Sequence, residues 1–179
     1  MQFLTLSEKE IKTPAIYSAI SMPHIVISIS GSDDNETIVP VNHSCMGVLH
    51  VKFDDVEDIS ENYLYFDRSM AGEILDFVER KITGISLIVV QCKAGLSRSV
   101  ATASALAKII NGKDDDVFTK GIPNMFVYTT LLDYFYSNPY WSEEYSKISM
   151  LRNKMLAQLL PPSVFRLGLA KNRKRAENE

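Results

Sequence analysis

Ile85-Ser86-Leu87-Ile88-Val89-Val90-Gln91-Cys92-Lys93-Ala94-Gly95-Leu96-Ser97-Arg98-Ser99 decides the fold of the chain. The apolar run Ile85 to Val90 predicts a buried strand, and the alanine-rich stretch Ser99 to Ile110 predicts a helix. Between them lies a short loop containing Gly95, with a thiol at one end and a guanidinium at the other. The six consecutive N–H groups of Lys93, Ala94, Gly95, Leu96, Ser97 and Arg98 can curl round one oxyanion if the loop turns tightly, and Gly95 permits the positive φ such a turn needs. The helix that follows brings its positive dipole end to the same point. Arg98 can add a planar, two-point grip on phosphate oxygens that a lysine does not reproduce. Such a field favours a thiolate, so Cys92 is predicted to be a nucleophile aimed at phosphorus.

Cysteine, five residues, arginine and a hydroxyl residue resembles the signature of the cysteine-dependent protein phosphatases. The octet Cys92-Lys93-Ala94-Gly95-Leu96-Ser97-Arg98-Ser99 is most similar to their compact dual-specificity branch. The resemblance implies a two-step reaction, in which Cys92 attacks, a phosphocysteine forms and water releases phosphate, with Ser99 hydrogen-bonding the sulfur as it departs. It implies phosphoprotein substrates, phosphotyrosine and also phosphoserine or phosphothreonine, and no cofactor. The chain departs from the family at Gln91, which stands where a histidine usually precedes the nucleophile. A glutamine amide donates a hydrogen bond but is never cationic. A module that binds phosphoprotein without turnover is therefore the alternative function, and a sulfurtransferase or arsenate reductase is a more distant one.

The same resemblance extends to Phe53-Asp54-Asp55-Val56-Glu57-Asp58, which looks like the family's general-acid loop. Its preferred register makes Asp55, 37 residues before Cys92, the acid that protonates the leaving oxygen, with Asp54 as the other choice. This loop is expected to follow a strand, Gly47 to Phe53, that can neighbour the Cys92 strand. Pro123-Asn124 and the helix after it are also similar to a segment that the dual-specificity enzymes place downstream. Asn124 is read as a cap with a weaker prospect of reaching the phosphate loop. Lys93 occurs in lipid-directed relatives too, but those carry a second basic residue where this chain has Leu96, which turns the reading towards phosphoprotein.

The 179 residues, 46% apolar and 23% charged, suit one soluble α/β domain with a central, mostly parallel sheet flanked by helices. Its expected limits are residues 1–169, with 170–179 a charged tail. The net charge of −3 argues against a nucleic-acid binder, since removing the tail's four basic and two acidic residues leaves −5. No window approaches a membrane span and the N-terminus lacks a signal pattern, so the protein is expected in the cytoplasm, off the membrane. Oligomeric state is not readable. Two cysteines make no disulfide framework. Cys45 is read as structural, the other choice being a reversible disulfide with Cys92.

Elsewhere, residues 1–24 show no clear period beyond a capped turn at Ser7-Glu8-Lys9-Glu10. His24 to Ser30 predicts a strand, Thr37 to Val41 a short edge strand, and Ala71 to Ile82 an amphipathic helix. Lys113 to Asp116 is expected as solvated loop in preference to a metal site, Asn124 to Phe135 as helix, and Glu143 to Leu160 as a further helix.

Overall fold

The cysteine strand is an inner strand of a four-stranded sheet in which every neighbouring pair runs parallel, in the order β1-β4-β2-β3. These are β1 (Gln2–Ser7), β2 (His24–Ser30), β3 (Cys45–Lys52) and β4 (Leu87–Cys92). The computed structural model describes residues 1–40, 42–57 and 62–139, and the fold below is that of Met1–Asn138. All residues of β2 and β4 are buried. Such inner strands read as continuous apolar runs because both faces of a parallel sheet are covered. Each Ile, Val or Leu so buried contributes roughly 1.5–3 kcal/mol.

One face of the sheet packs Leu6, Val26, Leu87 and Val89 against Ile11, Tyr17, Ile20 and Val39. Ile11 and Tyr17 come from two short helices, α1 (Glu8–Ile11) and α2 (Pro14–Tyr17). A capping box starts α1: Ser7 Oγ accepts the Glu10 N–H at 3.2 Å, and the Glu10 carboxylate accepts the Ser7 N–H at 2.7 Å. Alternation turns Ile25, Ile27, Ile88 and Val90, all fully buried, to the other face. The helices there are α3 (Arg68–Lys81) and α4 (Arg98–Asn111), with α6 (Met125–Ser137) packed on both. Asp67 caps α3 by accepting the Met70 N–H at 2.8 Å. Alanines 101, 103, 105 and 107 of α4 are buried, and their small side chains let that helix lie close to its neighbours.

The strand–helix alternation from residue 47 to 110 is as expected, and the sheet, expected to be mostly parallel, is parallel in every pair. Four details differ. Residues 2–7 form β1, an edge strand whose partly exposed face hides its alternation and whose place is fixed by pairing with β4. Thr37 to Pro40 form no strand. There Thr37 and Val39 are buried while Ile38 is 82% exposed, so burial without pairing produces the alternation. β3 does not adjoin the cysteine strand, because β2 lies between them. Asp115 and Asp116 open a short helix, α5 (Asp115–Phe118), and Asp114 accepts hydrogen bonds from Tyr128 Oη at 2.7 Å and Lys108 Nζ at 3.4 Å. The helix expected over 143–160 and the boundary at 169 lie outside the described residues.

Cys45 opens β3 beside the apolar cluster, and its thiol donates to Gly47 O at 3.6 Å. It is level with His24 and so with Leu87, the far end of β4 from Cys92. Five residues of strand span about 16 Å, which no direct disulfide bridges; both cysteines are free. Among the described residues no helix is long and apolar enough to cross a membrane.

Candidate active site

At the carboxyl end of β4 the chain turns through Lys93–Ser97 into α4, with Gly95 at φ +75°. A side chain at Gly95 would put its Cβ 2.6 Å from Ser7 N and 2.8 Å from Leu6 C, so only glycine lets the loop lie on the end of β1. Two loop carbonyls are held by neighbours: Lys93 O accepts the Glu8 N–H at 3.3 Å, and Leu96 O accepts the Ile122 N–H at 2.9 Å. Gly121 lies against the same carbonyl, where a Cβ would come within 2.3 Å of it. Both carbonyls are engaged by neighbouring segments, which fixes the path of the loop, and successive N–H groups in a tight turn of this kind can form a concavity that takes an anion.

Cys92 is buried, and its thiol donates to the hydroxyl of the fully buried Ser99 at 3.2 Å. A hydroxyl can equally donate to a sulfur anion. Arg98, the first residue of α4, is buried too. Its Nη1 donates to Phe53 O at 2.7 Å, and its Nε is buried without a hydrogen-bond partner, 3.9 Å from Asp55 Oδ2. A buried guanidinium N–H left unpaired is costly, and beside a loop of amide donors it suits an anion. Ser97 does not cap α4; its hydroxyl donates instead to Asp55 Oδ1 at 2.7 Å.

The two neighbouring aspartates have different settings. Asp54 accepts hydrogen bonds from Ser32 N (2.9 Å), Ser32 Oγ (2.8 Å) and Leu64 N (2.9 Å). Burial opposes its ionisation, but those donors and the Arg98 charge outweigh it and hold the carboxyl below the ordinary aspartate value. Asp55 instead meets Ser97, Arg98 and Asn124, whose Nδ2 donates to Asp55 Oδ1 at 2.9 Å and to Val56 O at 3.1 Å. Asn124 also caps α6, its Oδ1 accepting the Val127 N–H at 3.0 Å. The cap is as read, and its amide reaches the acidic loop instead of the phosphate loop. Ser32 and, through Lys93, Asp34 also reach the site. Nothing in the local pattern of 32–36 marks them, because they meet the site only through the β2–β3 connection.

Gln91 shares its row of the sheet with Leu6 and Ser28. It therefore points to the face opposite Cys92. Its amide is fully buried and donates to Ser28 Oγ at 2.6 Å. Among the described residues no group of three or more His, Cys, Asp or Glu side chains could hold a metal ion.

By sequence, no family model and no curated protein matches the chain. By structure it is similar to the human tyrosine phosphatase-like serine/threonine/tyrosine-interacting protein at 19% identity and TM-score 0.53, over 74% of this chain and 89% of that one. It is also similar to a mouse putative dual specificity phosphatase crystallised with zinc tungstate (16% identity, TM-score 0.52, 78% and 84% covered). A third match is human DUSP28, at 15% identity and TM-score 0.53 over 75% of this chain and 92% of that one. At such identities the likeness is one of fold, and the fold of this chain is that of the compact dual-specificity branch of the cysteine-dependent phosphatases.

Proposed function

We propose that the protein is a phosphomonoesterase acting on phosphoprotein, on phosphotyrosine and also on phosphoserine or phosphothreonine, through a phosphocysteine intermediate. The observation that carries this is the meeting of Cys92, Ser99, Arg98 and Asp55 around one glycine-turned loop. The Cys92 thiolate attacks phosphorus while Asp55, protonated, gives its proton to the departing ester oxygen. Arg98 and the amides of residues 93–98 take up the charge on the equatorial oxygens. Asp55 then removes a proton from water, the oxygen of that water attacks phosphorus, the P–S bond breaks, and Ser99 donates a hydrogen bond to the sulfur. Every group in these steps is a side chain or amide of the chain, so the reading calls for no metal. The nucleophile must remain a free thiol, which fits a reducing compartment such as the cytoplasm.

Asp55 is preferred over Asp54 because three donors hold Asp54 ionised and turned to Ser32 and Leu64. The test is hydrolysis of p-nitrophenyl phosphate and of a phosphotyrosine peptide with EDTA present, by wild type, Cys92→Ser and Asp55→Asn. Turnover abolished by Cys92→Ser is expected, with kcat on the peptide lowered about 10²–10⁴-fold by Asp55→Asn. Wild type that binds the peptide and releases no phosphate would replace this reading with that of a phosphoprotein-binding module.

A further inference from the structure

Lys93 is the one cationic side chain of the phosphate loop apart from Arg98. It directly follows the nucleophile, and its side chain is 64% exposed. Its ammonium is already engaged: Nζ donates to Asp34 Oδ1 at 2.8 Å. Asp34 comes from the β2–β3 connection, and that connection is built to hold it. Its backbone N–H donates to Gly31 O at 3.2 Å, and its carbonyl accepts from Lys52 Nζ at 3.0 Å. A Cβ on Gly31 would come 3.0 Å from Asp34 Oδ2, tighter than an ordinary contact. The same Cβ would come 3.3 Å from Asp54 Oδ1, so Asp34 stands beside the acidic loop, and Lys93 directly follows Cys92, which sets the pair at the mouth of the site. The hydrogen bond from Lys93 holds the Asp34 carboxyl low against its desolvation, and the same bond holds the Lys93 ammonium high, so both stay charged through the neutral range.

We infer that Asp34 is a specificity residue: it occupies the Lys93 ammonium that an anionic group next to the substrate's phosphate would otherwise engage, and so favours substrates whose phosphorylated residue has uncharged neighbours. This rests on the phosphatase reading of the same loop. A solvent-exposed pair is weak, so a substrate carboxylate can displace Asp34, but must compete with a carboxylate that is always present. Freeing the ammonium adds one attraction between unit charges a few ångströms apart, worth about 5-fold in water.

The test uses two phosphotyrosine peptides, one with glutamates on both sides of the phosphotyrosine and one with glutamines there. The quantity read is the ratio of their kcat/KM values. Asp34→Asn should raise the acidic-to-neutral ratio about 5-fold, and that rise should vanish when Lys93→Met is added. A ratio left unchanged by Asp34→Asn, or a gain that persists without the Lys93 ammonium, overturns the inference. If wild type turns over neither peptide, the phosphatase reading fails by itself. Dissociation constants of the same peptides for wild type and Asp34→Asn, by calorimetry, then decide on the same ratio whether Asp34 guards Lys93.

Discussion

The phosphate loop and the acidic loop meet at one site, but different forces hold them. The phosphate loop is local: five residues between the last of β4 and the first of α4, shaped by one glycine and flanked by buried groups. The acidic loop is assembled from a distance. Asp54 is tied to Ser32 and Leu64, and Asp55 to Ser97 and Asn124, across sequence separations of 10 to 69 residues. A loop of the first kind should fail through its backbone. A loop of the second kind should fail one hydrogen bond at a time.

The largest effect should therefore come from Gly95→Ala. The substitution sets an alanine at φ +75° with its Cβ 2.6 Å from the backbone nitrogen of Ser7. Neither the loop nor β1 has a flexible side chain that could yield there. Strain of this kind costs of order 1–3 kcal/mol, and the collision adds to it. A loss of about 3 kcal/mol in denaturant unfolding is expected, together with loss of vanadate binding, since the amides no longer converge. A protein that unfolds at the wild-type midpoint and still binds vanadate would show that the loop does not depend on this turn.

This contrast also explains what the sequence made legible. β4, the loop and α4 follow one another in the chain, so apolar run, glycine, arginine and alanines spell them out in order. Asp55 is preferred in the sequence only through the resemblance of 53–58 to the family's general-acid loop, while the donors that separate it from Asp54 come from Ser32, Leu64, Ser97 and Asn124, which no local pattern connects. β1 was missed because an edge strand is defined by its partner, and the same strand end supplies the surface against which Gly95 packs. The strand order likewise follows from which surfaces pack, and β2 enters between β3 and β4 although both flanking strands were foreseen. Gln91 looked like an alteration to the nucleophile's surroundings; one step of alternation turns it to Ser28 on the opposite face.

A smaller effect is expected at Asp54, and it should appear in stability. Asp54→Asn places an amide where three donors converge, so at least one N–H faces another donor, a cost of about 1–3 kcal/mol. The sign of its pH dependence follows from the lowered carboxyl. The contribution is full above the unfolded value of about 3.9 and is lost as pH falls through the lower folded value. Unfolding midpoints from pH 6 down to pH 2 should fall more steeply for wild type than for Asp54→Asn, and parallel curves would show that the carboxylate is not what ties Ser32 to Leu64.

Asn124 tests the second kind of loop at its smallest unit, because one side chain performs two separable tasks. Its Oδ1 caps α6, and its Nδ2 holds Asp55 and Val56. Asn124→Asp keeps an oxygen for the Val127 N–H but sets a carboxylate against Asp55. Asn124→Ala removes both tasks. Loss of a cap costs about 1 kcal/mol, so Asn124→Ala should lower stability by at least that amount, while Asn124→Asp keeps the cap and loses stability only through the carboxylate it turns on Asp55 and Val56 O. Both should lower kcat on a phosphotyrosine peptide about 5-fold, because losing one anchoring hydrogen bond of about 1 kcal/mol lets the proposed acid, Asp55, leave its working position. If the two variants divide in this way, the position of Asp55 is set from α6 and not from its own loop. Equal kcat in Asn124→Asp and wild type would mean that Ser97 and Arg98 suffice to hold Asp55, and the acidic loop would then depend on the phosphate loop alone.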